Sequence, residues 1–282
     1  MLPSVSSPRL FTEDKMTENK DTGDKSPTDG QEYVKTYGKT ANDDYGFYFY
    51  PNRNPGKIAE EKPGFLSSLK TAGLWGLWSH DPKNNVNCRM LVRQCVERNK
   101  RVQMMMRALK THGCPVDLDR HIHCEPCKLK ISGGFDFFTN QVVVCENNIK
   151  KEAPCCNVLS HEMLHAFDKC RAKFDINNVE HLACTEIRAA NLFHCSLTSA
   201  YVNGEAKPWN IKERHMNCVK RKALTSVLLV RNITPEEADK VIDKVFSRCY
   251  NDLEPFGRRL RLWARDEERS LSEGILYGYL EP

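Results

Sequence analysis

The sequence predicts an α+β domain: a small β-sheet packed on one motif-bearing helix, followed by a mostly helical C-terminal half. Three observations carry that expectation. "VLSHEMLHAFDKCR", residues 158–171, sets His161, Glu162 and His165 in a helical pattern. Before it, residues 119–146 break into short runs rich in Val and Phe, punctuated by Gly and Asn, which read as strands. After it come three stretches whose apolar residues recur with helical spacing.

The composition fits such a domain. The chain has 282 residues, 40% of them hydrophobic, enough for one large domain or two small ones with a sizeable core. The net charge of +5 is mild and dispersed, so nothing points to nucleic acid as a partner. The longest apolar runs, "ALTSVLLV" and "QVVVC", fall well short of the roughly 18 residues that a membrane-spanning helix needs, so a soluble or peripheral protein is expected. The opening "MLPSVSSPRLFTEDK" lacks a basic stretch followed by a long apolar one, and residues 11–30 are too acidic for a mitochondrial presequence. Thirteen cysteines nevertheless suit an oxidising compartment or metal binding. The mitochondrial intermembrane space reconciles the two, since oxidation can trap a protein there without a cleaved signal.

The elements follow in order. Residues 1–63 are polar, with scattered Pro and Gly, and read as disordered; "DDYGFYFYPNRNPG" is an aromatic island within them. Residues 64–83, including "GFLSSLKTAGLWGLWSH", form an apolar, Trp-containing linker or a segment lying on a membrane surface. The main domain is expected over 84–257. From Cys88 to about Lys110 the pattern is helical, with Val102, Met106 and Leu109 on one face and Met105 beside them as core filler. "THGC" ends that helix with a Gly. "GGFDFF" and "QVVVCE" flank "TN" and predict a hairpin. Helices are expected over 157–172, 178–195 and about 210–230. The last helix starts at Thr234 as N-cap, with Pro235 in the first turn and Glu237 completing a capping box. Its buried stripe is Ala238, Val241, Ile242, Val245, Phe246, Cys249 and Leu253. Residues 258–282 read as a charged tail.

The spacing His161-Glu162-x-x-His165 carries the chemistry. Two histidines at i and i+4 share a helix face and can bind one Zn²⁺ through imidazole nitrogens at about 2.0–2.1 Å. Glu162, one residue on from His161, reaches past the metal to a water and takes its proton as the water attacks a carbonyl. The competing reading is a pair of satisfied core histidines. A catalytic zinc takes three protein ligands and keeps one position open. In gluzincin-type sites the third is a Glu on a following helix, about twenty residues on. Glu186, 21 residues after His165 in "ACTEIRAA", is favoured, with His181 second. Asp168 sits too close on the same helix and is expected to orient a ligand instead. His194 and His215 read as ordinary histidines. The hairpin "GGFDFFTNQVVVC" can offer an edge for a substrate bound as an added strand, or merely pack on the helix. Cys114, Cys124, Cys127 and Cys145 can make a four-thiolate zinc knuckle or enter disulfides. An odd cysteine count leaves at least one unpaired, and the adjacent Cys155 and Cys156 cannot both pair simply. No Cys sits in a nucleophile's context.

These residues carry a family resemblance. The chain resembles the mitochondrial inner-membrane metalloproteases that process and help assemble the ATP synthase, also called Ku-antigen-binding protein homologues. The match spans about 84–257 and includes "CEPC" at 124–127, "GGFD" at 133–136, "HEMLHAFDKCR" at 161–171, "HLACTEIRAANL" at 181–192 and "VFSRCYNDLEPFG" at 246–257. It implies a zincin-like fold and a zinc endopeptidase, peripheral to the inner membrane on its intermembrane-space side. It implies one Zn²⁺ per chain, His161 and His165 as ligands and Glu162 as the catalytic residue. Its substrates are polypeptides, among them a subunit of the ATP synthase membrane sector. Ten cysteines (88, 114, 124, 127, 145, 170, 184, 195, 218 and 249) match the family pattern and imply five bridges, with Cys95, Cys155 and Cys156 extra. That weakens the knuckle reading. The chain departs from the pattern at Phe193–His194, where the family often has a small and an acidic residue. A non-proteolytic assembly chaperone is the alternative function, and a nuclear Ku-binding adaptor a remote third.

Overall fold

The structure is a computed structural model that describes residues 49, 50, 53, 82–128, 130–196, 201, 207–261 and 264–279. The Trp-containing segment at 64–80, and all of residues 1–63 but Phe49, Tyr50 and Arg53, lie outside the described residues. The described chain is mixed α+β, as the patterning predicts. Its elements run α1 (Pro82–Arg98), α2 (Lys100–Thr111), α3 (Leu118–His121), β1 (Ile122–Glu125), β2 (Gly133–Asp136) and β3 (Gln141–Cys145), then α4 (Glu152–Arg171) and α5 (Val179–Ala189). A π-helical turn (Ala190–His194), α6 (Ile211–Val230), α7 (Pro235–Asn251) and α8 (Asp266–Leu276) complete it.

The single helix expected over 88–110 is two. Asn99 breaks it: its side chain accepts from the backbone N–H of Arg101 and Val102 and so caps α2. Gln103 Nε2 donates to the Val96 and Glu97 carbonyls and closes the end of α1. "RNKR" contains no Gly or Pro, so helical periodicity runs through the break unseen.

The three strands form one sheet in the order β1-β3-β2. β2 and β3 make the expected hairpin, with Gly134 opposite Val143 and Asp136 opposite Gln141. Its turn is longer than "TN". Asp136 Oδ1 accepts from the N–H of Phe138 and Thr139, and Asn140 takes the left-handed φ of 58°. β1 adds alongside β3 in parallel.

Helix α4 starts five residues before the expected 157, because Pro154 falls in its first turn, where a missing N–H costs nothing. α5 is shorter than expected; after Ala189 the chain passes into the π-helical turn. α7 carries the predicted capping box at Thr234 and Glu237. Ala238, Ile242, Phe246 and Cys249 of its predicted stripe are buried, while Val241, Val245 and Leu253 are half-buried. Within the predicted charged tail lies α8. Its Leu271 is buried, and a Cβ on Gly274 would stand 3.0 Å from the Met104 side chain of α2, tighter than ordinary contact.

Two large apolar cores result, beside a small cluster of Cys127, Val143 and Cys145. One packs α1, α2, α4 and the sheet around Met105, Leu109, Leu159 and Phe167. The other packs α5, α6 and α7 around Ile187, Val219, Val227, Ile242 and Phe246. Six disulfides tie these elements: Cys88–Cys124, Cys95–Cys156, Cys114–Cys170, Cys127–Cys145, Cys184–Cys249 and Cys195–Cys218. The ten cysteines of the family pattern pair among themselves in the five bridges expected, and a sixth joins two of the three extra ones, Cys95 and Cys156, where α1 crosses α4. The zinc-knuckle reading falls: Cys114, Cys124, Cys127 and Cys145 are consumed in three separate bridges. Cys155 is the one free cysteine, and burial pushes its thiol up to about 12.

Candidate metal centre

Helix α4 belongs to the first core and α5 to the second, so the two helices meet where the cores meet. Leu159, Met163 and Phe167 bury one face of α4. That leaves His161 and His165, one turn apart, turned toward α5. Leu182, Ala183 and Ile187 bury α5 in its own core and turn Glu186 toward α4.

The result is a compact donor group. His161, His165 and Glu186 each bring one ligand atom, all within 4.8 Å of one another. The two Nε2 atoms stand 3.0 Å apart, and Glu186 oxygens lie 3.5 Å from His165 Nε2 and 3.8 Å from His161 Nε2. Donors on a tetrahedral zinc are separated by about 3.3 Å at zinc–ligand lengths near 2 Å, so small adjustments suffice for one ion to meet all three. The electrostatics agree. Burial, and then each other's proximity, hold His161 well below the usual histidine range, and burial holds His165 at about 3. Both imidazoles are neutral at physiological pH, as ligands must be. Burial pushes Glu186 up to about 7, and burial together with Glu186 pushes Glu162 well above the carboxylate range. Two neutral imidazoles facing two buried carboxylates are a donor set that a dication satisfies. Among the described residues, no other group of three such side chains converges this way.

Each histidine is held from behind. His165 Nδ1 bonds Thr185 Oγ1 at 2.8 Å, and that hydroxyl donates to Asp168 Oδ2 at 2.8 Å. Asp168 is held in turn by Arg171 and by the fully buried Arg188. Asp168 thus reaches His165 through Thr185, a relay that sequence spacing did not show. His161 Nδ1 bonds His194 Nε2 at 2.7 Å. His194 is not the ordinary histidine that the sequence suggests, and no signal in the sequence separates it from other histidines. His181 lies outside the group; its Nδ1 accepts from the Asp175 N–H. His215 is buried in the second core between the Tyr250 hydroxyl and the Cys195 carbonyl.

The sheet edge borders this centre. Lys169 of α4 donates to the Phe137 carbonyl in the hairpin turn, and the Phe137 ring stacks on Phe174 beside His165. Ser132 accepts from Cys145 N–H, so in the antiparallel alternation Gly133 and Phe135 direct their own N–H and C=O away from β3. Part of the aromatic island sits there. Tyr50 donates its hydroxyl to the outward Gly133 carbonyl at 2.7 Å, and a Cβ on Gly134 would run into it. Arg53 bridges Glu125 of β1 and Asp136 of β2 across the outer face of the sheet. Burial, and next the charge of Glu162, raise the Tyr50 hydroxyl well above its usual range.

Comparison with known proteins points the same way. The model of the peptidase M76 family matches residues 86–257. The chain is 40% identical over 222 residues to the mitochondrial inner membrane protease ATP23 homolog of Xenopus laevis, covering 78% of this chain and 88% of that one. It is 42% identical over 208 residues to the ATP23 homolog of Homo sapiens, covering 72% and 78%. It is 33% identical over 181 residues to the mitochondrial inner membrane protease atp23 of Schizosaccharomyces pombe, covering 64% and 94%. No solved structure matches the chain.

Proposed function

The chain belongs to the peptidase M76 family, and from that premise we propose that it is a zinc-dependent endopeptidase of the mitochondrial inner membrane. The observation that carries the proposal is the convergence of His161, His165 and Glu186 beside the buried Glu162. In this reading His161 Nε2, His165 Nε2 and a Glu186 oxygen hold one Zn²⁺. Zinc bound there supplies a Lewis acid for the scissile carbonyl and a water whose pKa is lowered toward 7. Glu162 is the general base. It takes a proton from the attacking water as the new C–O bond forms, and returns it to the departing amine nitrogen as the C–N bond breaks. The substrate is a polypeptide, laid in extended form along the outer edge of β2 against the outward backbone groups of Phe135, beyond the Gly133 carbonyl that Tyr50 already occupies.

The relatives' names place them at the mitochondrial inner membrane. No helix among the described residues is long and apolar enough to cross a membrane, which supports peripheral attachment. Six disulfides favour the oxidising intermembrane-space side over the matrix or nucleus. Processing or degradation of proteins there, with help to ATP synthase assembly, completes the proposal.

Glu162→Gln tests it. The purified variant is expected to keep one zinc per chain by elemental mass spectrometry and to lose at least about 100-fold in polypeptide cleavage. Full cleavage by the variant would remove Glu162 from the mechanism. Absence of zinc from folded wild-type protein would remove the metal.

A further inference from the structure

We propose that His194 is a positioning residue of the metal centre, holding His161 in the one tautomer that can ligate. The inference rests on the metal reading above and extends it to a residue outside the motif. For His161 to offer its Nε2 lone pair to a cation, its ring proton must sit on Nδ1. A neutral acceptor placed against Nδ1 enforces that. His194 Nε2 stands there at 2.7 Å, with the ring centroids 4.7 Å apart. His165 receives the same service from Thr185 at 2.8 Å on its own Nδ1. In the proposed arrangement His194 carries its own ring proton on Nδ1 and accepts through Nε2, as the Thr185 oxygen accepts behind His165, and both ligand Nε2 atoms are freed toward Glu186.

The position of His194 is built rather than accidental. It ends the π-helical turn, a rare local geometry that frequently marks functional positions. Both chain neighbours are pinned. Phe193 packs edge-on against Phe256. Cys195 is fixed three times over: its N–H bonds the Ala190 carbonyl, its carbonyl accepts from His215, and its sulfur is bridged to Cys218. Three residues before His194, Asn191 donates to the Tyr250 carbonyl. The exposed His194 ring is thus carried on an anchored backbone and directed at His161. Partners of this kind are worth 10–100-fold in metal affinity, and the exposure of His194 places the expected effect near the lower end.

The test compares His194→Phe, which keeps an aromatic ring but offers no acceptor, with His194→Gln, whose amide oxygen can accept at similar reach. The readout is the zinc dissociation constant of the full chain, measured by competition with a chromophoric chelator, together with the melting temperature of the metal-free protein. We expect His194→Phe to bind zinc about tenfold more weakly, His194→Gln to recover most of that loss, and the metal-free melting temperature to stay at the wild-type value. Equal zinc affinity in His194→Phe and wild type would overturn the inference while leaving the metal centre standing. Equal weakening in both variants with a lowered metal-free melting temperature would overturn it in favour of a purely structural role. A wild-type chain that binds no zinc would overturn it along with the metal reading itself.

Discussion

At the scale of single residues, the motif pair and Glu186 were legible because their chemistry depends on spacing. An i, i+4 pair shares a helix face in any helix, and a carboxylate 21 residues on, in the next helical pattern, needs only an antiparallel return to face it. What spacing does not encode is what stands behind the ligands. Thr185 and His194 reach the two histidines through tertiary geometry alone, and their residue types are too common to signal a role. Glu186 carries its own prediction. Its carboxylate is buried, pushed up to about 7 by that burial, and faces the His165 and His161 imidazoles at 3.5 and 3.8 Å. Glu186→Ala is expected to fold with its disulfides intact and to lose bound zinc from one per chain to near none after dialysis against a weak chelator. Elemental analysis reads the outcome directly. Full zinc retention would exclude Glu186 as the third ligand, leaving the two histidines to hold the ion with some other group.

At the scale of elements, what could be read followed local signals. The capping box at Thr234 and the hairpin around Asn140 are written in neighbouring residues, whereas the start of α4 at Glu152, with Pro154 in its first turn, lies ahead of the expected 157. The break at Asn99 and the π-helical turn at Ala190–His194 were not legible, because each interrupts a run that keeps helical periodicity on both sides. The aromatic island falls between these cases. Its composition marked it as unusual, but only the fold shows Tyr50 capping the outward Gly133 carbonyl and Arg53 clamping β1 to β2. Both strands have only four residues, so their ladder alone holds the edge weakly. Arg53 has a side chain only 10% exposed and lies 2.6 Å from Glu125 and 2.9 Å from Asp136. Arg53→Ala is therefore expected to cost about 2 kcal/mol, the value of a charge-assisted bond to partly buried carboxylates. It should also speed hydrogen exchange in β2, the strand beside the metal centre. Unchanged exchange there, measured at pH 7, would mean the strap contributes nothing to the edge.

At the scale of the whole molecule, the centre lies where two separately packed cores meet, and the junction is ionic rather than apolar. Arg188 of α5 is 1% exposed and joins Asp168 of α4 to Asp252 beyond α7. Arg171 of α4 meets the same Asp252 at 2.5 Å and Glu254 at 2.5 Å. A buried guanidinium is tolerable only with such partners. The disulfides do not span this seam between α4 and α5: Cys184–Cys249 and Cys195–Cys218 brace the second core, Cys88–Cys124, Cys95–Cys156 and Cys114–Cys170 the first, and Cys127–Cys145 the small cluster on the other face of the sheet. The relative placement of His161, His165 and Glu186 therefore leans on the charge network, and acid should find it first. Burial by itself raises the Asp252 carboxyl, but Arg188 and Arg171 outweigh that and hold it below the usual carboxylate range. A depressed carboxylate contributes stability that is complete above the unfolded value near 4 and is lost as pH falls through the lower folded value. The share of stability owed to Asp252, read as the difference in denaturant midpoint between the disulfide-intact wild type and Asp252→Asn, should accordingly hold steady from pH 7 to about 4 and shrink below that. Asp252→Asn should be about 2 kcal/mol less stable than wild type at pH 7, with the gap closing as the pH drops below about 3. A gap that stayed constant across that range would show that Asp252 serves the junction by its shape and hydrogen bonds, and that its charge does not hold the two cores in register.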